Sequence, residues 1–536
     1  MKKSEGLFKK QLPYFITIII SSGLLSSCTN SGTYKLPDVS GYQILTPKPV
    51  PTPHLNGPRV YGCRPGNPYL YRIPCQGERP ITFSAENLPA TLHLDPQTGI
   101  ITGTSPEKGE YEIILKANNI HGEDRRGLKI VAGEKLSLTP SMGWNHWYAH
   151  YSRITDNMMR EAADIMISTG MADVGYQFVN IDDCWENAPE HSDPLRVGPL
   201  RDSNGNILTN KYFPDMKGLT DYIHSKGLKA GIYSSPGPLT CGGFAGSYGY
   251  EEKDAQQYTE WGFDFLKYYW CSYGHITSVG SANDKNIKRS GHEVPSLEAC
   301  MYPYKLMGDI LKKQKRDIVY NLCQYGMADV WKWGGEVGAN SWRTAGDLGF
   351  YLDKVFDVAL KNAEHREYSK PGEWNDPDYI QIGWIGVAHE QAEPKPTKMP
   401  PSMQYAYMSL WSLMASPIFY SGDMSKLDDF TLNILCNNEV IDVDQDPLGE
   451  SGLVINRPDS CFLMIKSLYE GSKVVGLFNR SQAAKEVTAE WAELKIDGKK
   501  IVRDIWRQKN IGSFRNKFTA LVPAKGVVMV KISNKR

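Results

Sequence analysis

The sequence has no surplus of charge of either sign: Lys and Arg together number 60, as do Asp and Glu. Nucleic-acid binding normally leaves a basic footprint, and this balance gives it no support. The 11 histidines show no HExxH and no paired short spacing, so no metal is expected. The stretch "DSNGNILTNKYF" at 202–213 starts like a calcium loop, but it lacks the glycine and the glutamate that such a loop needs and reads as a turn. No Gly-x-Ser-x-Gly elbow, phosphate-binding loop or glycine-rich dinucleotide fingerprint occurs. The longest apolar run, Tyr14–Leu25, is too short for a comfortable transmembrane helix, and no second candidate follows it.

What is present points to a large exported protein. The chain has 536 residues, 41% apolar and 22% charged, enough for sizeable cores in about two to four domains. Thirteen Trp and 30 Tyr are many, but core packing accounts for most aromatics. Lys2, Lys3, Lys9 and Lys10 precede the apolar run, which ends in "LSSC", Leu25 to Cys28. This pattern resembles a bacterial lipoprotein signal, cleaved after residue 27 and lipidated at Cys28. It implies an exported lipoprotein, in the periplasm or on the outer-membrane surface, attached through its N-terminal lipid alone. Export permits disulfides. Nine cysteines remain after Cys28, an odd number, so at least one stays unpaired in a monomer.

Residues 28–58 read as a tether and a proline-rich linker or lead-in strand. Residues 59–134 carry short strand candidates separated by turn signals such as "DPQTG", the pattern of a small β-sandwich. This stretch resembles the Ig-like module attached to many bacterial surface enzymes, for spacing or packing. Over 135–449, strand candidates ("YQFVNIDD", "LKAGIYSS", "FDFLKYYW", "DIVYNLCQ", "SWRTAGDL", "DYIQIGW", "SPIFYSGD") alternate with helical patterns. With "PSMGWN" as the opening strand, about eight βα units fit an α/β fold, a (β/α)8 TIM barrel. A doubly wound sheet is the alternative, and the missing phosphate fingerprint counts against it. From 450 to 536 short strands return and imply an antiparallel β-sandwich.

In such barrels, working residues sit at the C-terminal ends of strands. Polar clusters fall there: Asp182 and Asp183 after strand two, Tyr233 to Cys241 after strand three, Lys267 to Cys271 after strand four. Arg343 and Asp347 follow strand six, and Asp376 and Asp378 lie in "WNDPD" at the start of strand seven. A lone strand-end Asp is more often a helix cap than a catalyst, but acidic clusters at several ends of one barrel suit glycoside hydrolysis. That reaction needs carboxyl groups on both sides of an anomeric carbon.

The motifs "PSMGWNHW", "GYQFVNIDDCW", "SWRTAGDL", "WNDPDYIQIG" and "EVIDVDQDPLG" resemble, in order, those of glycoside hydrolase family 27. Its members are α-galactosidases and α-N-acetylgalactosaminidases. The resemblance implies a TIM barrel with a C-terminal β-sandwich, no cofactor, and a carbohydrate partner, a galactose-containing glycan. It implies that Asp182 and Asp183 bind sugar hydroxyls, Trp147 packs on the ring, and Tyr233 lines the pocket. Lys267 and Arg343 would donate to hydroxyls and carboxylates, Asp378 would support the site, and Asp347 would be the general acid and base. Gln324 lies where relatives choose between a 2-hydroxyl and an N-acetyl group. Cys241 and Cys271 match a family disulfide, worth about 3.5 kcal/mol for a loop of that length in the chain-entropy model. The pairing of Cys63, Cys75, Cys184, Cys300, Cys323, Cys436 and Cys461 stays open, with Cys184 and Cys323 left free.

The departure is at the nucleophile. The family pattern is lysine, aromatic, aspartate, any residue, cysteine; here "KYYWC" puts Tyr269 in the aspartate's place. Asp264 is five residues earlier, roughly 16 Å along a strand and on its other face, and cannot substitute. Tyr269 is then either a tyrosine nucleophile aided by Lys267, or part of another hydrolytic geometry, or the mark of a catalytically impaired, galactoside-binding homologue.

Overall fold

The computed structural model describes residues 33–35, 41–276, 296–349, 352–386 and 392–534; Cys28 and the apolar run before it lie outside them. Among the described residues no helix is long and apolar enough to cross a membrane.

Eight short parallel strands form the central sheet: β1 (Met142–Asn145), β2 (Phe178–Asn180), β3 (Lys229–Ser234), β4 (Phe265–Tyr269), β5 (Val319–Cys323), β6 (Ser341–Arg343), β7 (Trp374–Asp376) and β8 (Ile418–Tyr420). Sequence neighbours are spatial neighbours from β1 to β7, and β8 pairs with β1. The ring closes through one residue beyond β7, since Ile380 bridges Tyr420, donating to Phe419 O at 2.7 Å and accepting from Ser421 N at 2.9 Å. The expected strand "DYIQIGW" is therefore not a strand. It supplies this closing bridge, while β7 lies earlier, so Asp376 and Asp378 stand at its C-terminal end rather than at its start.

Period-two alternation sorts the side chains. Leu266 and Tyr268 of β4 point into the outer core, whereas Phe265, Lys267 and Tyr269 point inward. At the lower level Phe178, Phe265 and Phe419, from β2, β4 and β8, pack edge-on or tilted with centroids 5.4–6.2 Å apart. Gly143 on β1 makes room for them, because a Cβ there would lie 2.4 Å from Phe178 O and 2.9 Å from the Phe419 ring. This apolar floor leaves the polar inward residues of the next levels facing the mouth.

The helical patterns form helices at Asp156–Ser168, Met216–Ser225, Leu297–Lys313, Val355–Ala363 and Pro401–Met414. Thr155 and Asp215 cap the first two by accepting from Met158 N and Gly218 N. Pro401–Met414 is buried almost all round because it lies between the barrel and the C-terminal sandwich. Glu251–Trp261 is a further helix whose sequence is too polar to show a stripe; only Gly262, left-handed at φ +98°, marks its end. Between β5 and β6 the crossover carries a 3-10 segment, Met327–Lys332, in place of an α-helix.

The flanking modules are β-sandwiches. The N-terminal one packs a four-stranded sheet (Val60–Cys63, Gly122–Ala132, Gly109–Asn119, Thr82–Glu86) over a three-stranded one (Pro68–Arg72, Ile100–Thr104, Leu92–Leu94). It docks where barrel strands begin, on the side away from their C-terminal ends. Arg64 pairs with Asp317 at 2.9 Å and donates to the Lys312 carbonyl, and Arg79 pairs with Asp173 at 2.7 Å. The C-terminal module has a six-stranded antiparallel sheet facing a three-stranded one. The third strand of that small sheet is Tyr34–Lys35, from the stretch expected to be a tether. Downstream, Gln43 and Leu45 are tied to Tyr405, and Thr46 to Asn433, so the lead-in is strapped across the barrel rather than free.

Arg64→Ala removes a mostly buried charge pair and leaves Asp317 held only by Asn67 and a backbone N–H, which costs roughly 2–4 kcal/mol. Calorimetry is expected to show a transition shifted to lower temperature, while the isolated barrel chemistry stays intact.

Candidate active site

The C-terminal mouth gathers side chains from seven of the strand ends. Asp182, two residues past β2, is its electrostatic centre. Its Oδ2 accepts from Lys267 Nζ at 2.7 Å and Asn145 Nδ2 at 2.9 Å, and its backbone N–H donates to His146 Nδ1 at 2.9 Å. Burial alone would raise the Asp182 carboxyl, but the charge and hydrogen bond of Lys267 outweigh it and hold it below the usual carboxylate range. Burial likewise opposes the Lys267 ammonium, and Asp182 keeps it charged, well above its ordinary value. Burial pushes His146 down to about 3. A neutral imidazole leaves Nδ1 a lone pair, which is what accepting the Asp182 N–H requires.

A second group sits after β6 and β7. Arg343, buried, reaches Asp347 Oδ1 at 3.1 Å and Asp378 Oδ1 at 3.2 Å. Tyr325 donates its hydroxyl to the other oxygen of Asp347 at 2.8 Å. Asp378 accepts from Tyr148 OH and Leu348 N, both at 2.7 Å. Burial pushes Asp378 up to about 6 against the pull of Arg343. Cys184, Tyr325 and Asp378 hold φ of +83°, +60° and +114°, where L-residues seldom sit. Backbone strain of this kind persists where surrounding contacts over-determine a conformation, and it clusters at functional sites.

Cys241 and Cys271 form a disulfide between the loops after β3 and β4. Tyr233 OH donates to the Cys271 sulfur at 3.1 Å. Between the two groups stand aromatic rings. Tyr269 packs against Tyr233 (centroids 6.2 Å apart) and edge-on against Tyr325 (5.2 Å). Trp147, Asp182, Tyr233, Cys241, Lys267, Tyr269, Tyr325 and Asp347 line a shared cavity of ≈ 20 Å³, room for about one water.

Six sequence-derived candidates thus meet in one cavity: Trp147, Asp182, Tyr233, Lys267, Tyr269 and Asp347. Arg343 lies behind it and holds Asp347, with Asp378 on the same guanidinium. Asp183 faces away: its oxygens accept from Thr240 Oγ1 at 2.6 Å, Gly242 N at 2.7 Å and Cys184 N at 2.8 Å, anchoring the loop that carries Cys241. Gln324 is turned into its own loop, accepting from Gly326 N and donating to Met327 O, so the cavity residue from β5 is its neighbour Tyr325. Sequence reasoning also missed Asn145, Tyr148 and Tyr379. Only their places beside strand ends or beside Asp378 could have singled them out. Cys184 and Cys323 are both free, and burial pushes their thiols up, which leaves them poor nucleophiles.

Residues 139–446 match the family described as "Alpha galactosidase A", residues 460–532 its C-terminal β-sandwich domain, and residues 52–131 an Ig-domain family. The chain is 33% identical over 414 residues to "Alpha-galactosidase 2" of Arabidopsis thaliana, covering 76% of this chain and 93% of the relative. It is 33% identical over 425 residues to "Alpha-galactosidase A" of Cellvibrio japonicus, covering 75% and 93%. A solved Bacteroides fragilis structure, described as a candidate α-galactosidase/melibiase, superposes with a TM-score of 0.80 at 33% identity over 92% of this chain and 99% of that one.

The buried acids make opposite demands on pH. The lowered Asp182 contributes stability above about pH 4 that is lost on acidification through its folded value. Asp183, pushed up to about 6 by burial, contributes stability that is fully present below about pH 4 and lost as pH rises through 6. Thermal melts from pH 4 to 7 are expected to fall less steeply in Asp183→Asn than in wild type. Asp182→Asn, which strands Lys267, is expected to lose roughly 3–5 kcal/mol at pH 7.

Proposed function

The chain belongs to the α-galactosidase family of glycoside hydrolases, family 27, and on that basis we propose that it releases terminal α-linked galactose from glycans. The observation that carries this reading is the convergence of Asp182, Lys267 and Asp347 on one cavity. The ionised Asp182–Lys267 pair offers an acceptor and donors to adjacent sugar hydroxyls, and charge-assisted bonds of this kind select hydroxyl geometry. Asp347 serves as general acid and base. Arg343 and Tyr325 each hold one of its oxygens, which fixes its direction toward a glycosidic oxygen.

Tyr269 supports two versions of this function. In one, its phenol attacks the anomeric carbon, as the carboxylate does in retaining glycosidases. A free phenol ionises near pH 10, so this version needs a base or a cation at the Tyr269 hydroxyl, and Lys267 lines the same cavity. In the other, the site binds galactosides but barely turns them over. The ≈ 20 Å³ of space left between Tyr233, Tyr269 and Tyr325 is far less than a hexose fills and bears on both versions alike. For either, the Tyr269 and Tyr325 rings have to part before a sugar can enter.

An aryl α-galactoside assay separates them. Turnover by wild type that falls about 10²–10⁴-fold in Asp347→Asn establishes the hydrolase. Saturable galactoside binding without turnover, with hydrolysis appearing in Tyr269→Asp, establishes the impaired homologue. Neither turnover nor binding by any of the three proteins would sink both.

We further propose that the mature chain is a lipoprotein attached at Cys28, on the strength of the basic N-terminus, the Tyr14–Leu25 run and "LSSC". Cys28→Ser is expected to move from the membrane fraction to the soluble exported fraction, and an unchanged distribution would reject the anchor.

A further inference from the structure

The N-terminal strand has a consequence for how the protein sits on a membrane. Tyr34 and Lys35 pair in parallel with Ala520 and Leu521 and cover the edge of the Lys517–Val522 strand. Thr33 donates its hydroxyl to Glu486 at 2.9 Å, the Tyr34 ring packs 6.0 Å from Phe518, and its hydroxyl donates to Asp504 at 3.2 Å. The chain is thus fastened to the C-terminal sandwich five residues after Cys28. Five residues span at most about 17 Å, so Cys28 lies within that distance of Thr33. Because the pairing is parallel, Thr33, the residue nearest Cys28 in the strand's lead-in, lies on the Lys517 side of Tyr34 rather than the Val522 side.

That end is basic in a protein whose charges otherwise balance. Lys499 stands opposite Arg515 in the Lys499–Asp504/Lys509–Arg515 hairpin, and Lys517 follows two residues after Arg515. Lys473, Lys495, Lys500 and Asn534 line an open groove of ≈ 430 Å³ on the same module. Lys495, Arg515 and Lys517 are exposed, and Lys499 and Lys500 half-buried. Farther along the hairpin, Arg503 is neutralised by Glu439 at 2.6 Å and Arg507 by Asp504 at 2.9 Å. Lys495, Lys499, Lys500, Arg515 and Lys517 are in no ion pair among the described residues. The acids nearby, Asp497 in the groove and Glu490 opposite Lys517, are too few to cancel them.

We propose that the C-terminal sandwich is the membrane-facing module, its Lys495, Lys499, Lys500, Arg515 and Lys517 resting on the anionic phospholipid headgroups of the bilayer that holds the Cys28 lipid. The proposal rests on lipid attachment at Cys28 and adds to it a face and an orientation. A short leash and a basic patch at its point of origin act together, since a polybasic surface near an anionic leaflet is attracted only within about a Debye length, roughly 8 Å at physiological salt. A free tether of 30 residues would impose no orientation. A strand stapled to one sheet edge does.

The test uses the full-length lipidated protein in phosphatidylethanolamine vesicles with and without phosphatidylglycerol, and in neutral detergent micelles. Lysines are acetylated and read by mass spectrometry, together with the mass of the N-terminal peptide. Labelling of Lys495, Lys499 and Lys517 is expected to drop several-fold in the phosphatidylglycerol vesicles, while Lys108 and Lys253 label equally everywhere. Lys499→Glu/Arg515→Glu/Lys517→Glu is expected to keep its lipid and lose protection at Lys495. Equal labelling of Lys495, Lys499 and Lys517 in vesicles and micelles, with the lipid present, overturns the membrane-facing assignment alone. Protection that is the same without phosphatidylglycerol overturns the headgroup contact. An N-terminal peptide without lipid overturns the anchor and this proposal together.

Discussion

The buried ion pair between Asp182 and Lys267 is the interaction on which the mouth of the barrel depends. Taking a carboxylate and an ammonium out of water is expensive, and the pair persists because its remaining valences are filled by Asn145, the Asp183 N–H and the rings of Tyr233 and Tyr379. Those partners come from strand ends all round the ring. A closed parallel barrel can bring them to one point, because every strand ends on the same rim. The apolar floor of phenylalanines below prevents the charges from being satisfied by water from beneath.

Around this centre the structure separates work among residues that look alike in sequence. Asp182 and Asp183 are neighbours, yet one faces the cavity as an ionised acceptor and the other anchors the disulfide loop with a pKa moved the opposite way. Arg343 serves two carboxylates at once, so the orientation of Asp347 is inherited from Asp378 and, through it, from Tyr148. Positive φ at Cys184, Tyr325 and Asp378 is tolerated because these contacts leave each backbone no alternative.

Tyr269 sits inside this otherwise conventional frame. It extends an aromatic cluster formed by Tyr233 and Tyr325 and lines the cavity shared by the Asp182–Lys267 pair and Asp347. The same tyrosine cluster that fills the mouth also holds Asp347 through Tyr325, which couples access to the site with the position of its acid.

Local pattern was enough to show the alternation of strands and helices, the two flanking sandwiches, and the acidic strand ends, since these depend on periodicity and on residue type. The resemblance carried the Cys241–Cys271 pairing. Local pattern could not show that β7 stops at Asp376 and that Ile380 closes the ring, because three-residue strands leave no periodic signal. It could not show that Gln324 folds back on its own loop while Tyr325 enters the cavity, because neighbouring side chains after a strand end take whatever direction an irregular backbone allows. Nor could it show that Tyr34–Lys35 is a strand, for its partner lies almost 500 residues away. Composition and spacing determined which chemistry the chain can hold. Only the closing of the barrel decided which atoms meet, since that depends on distances between residues far apart in the chain.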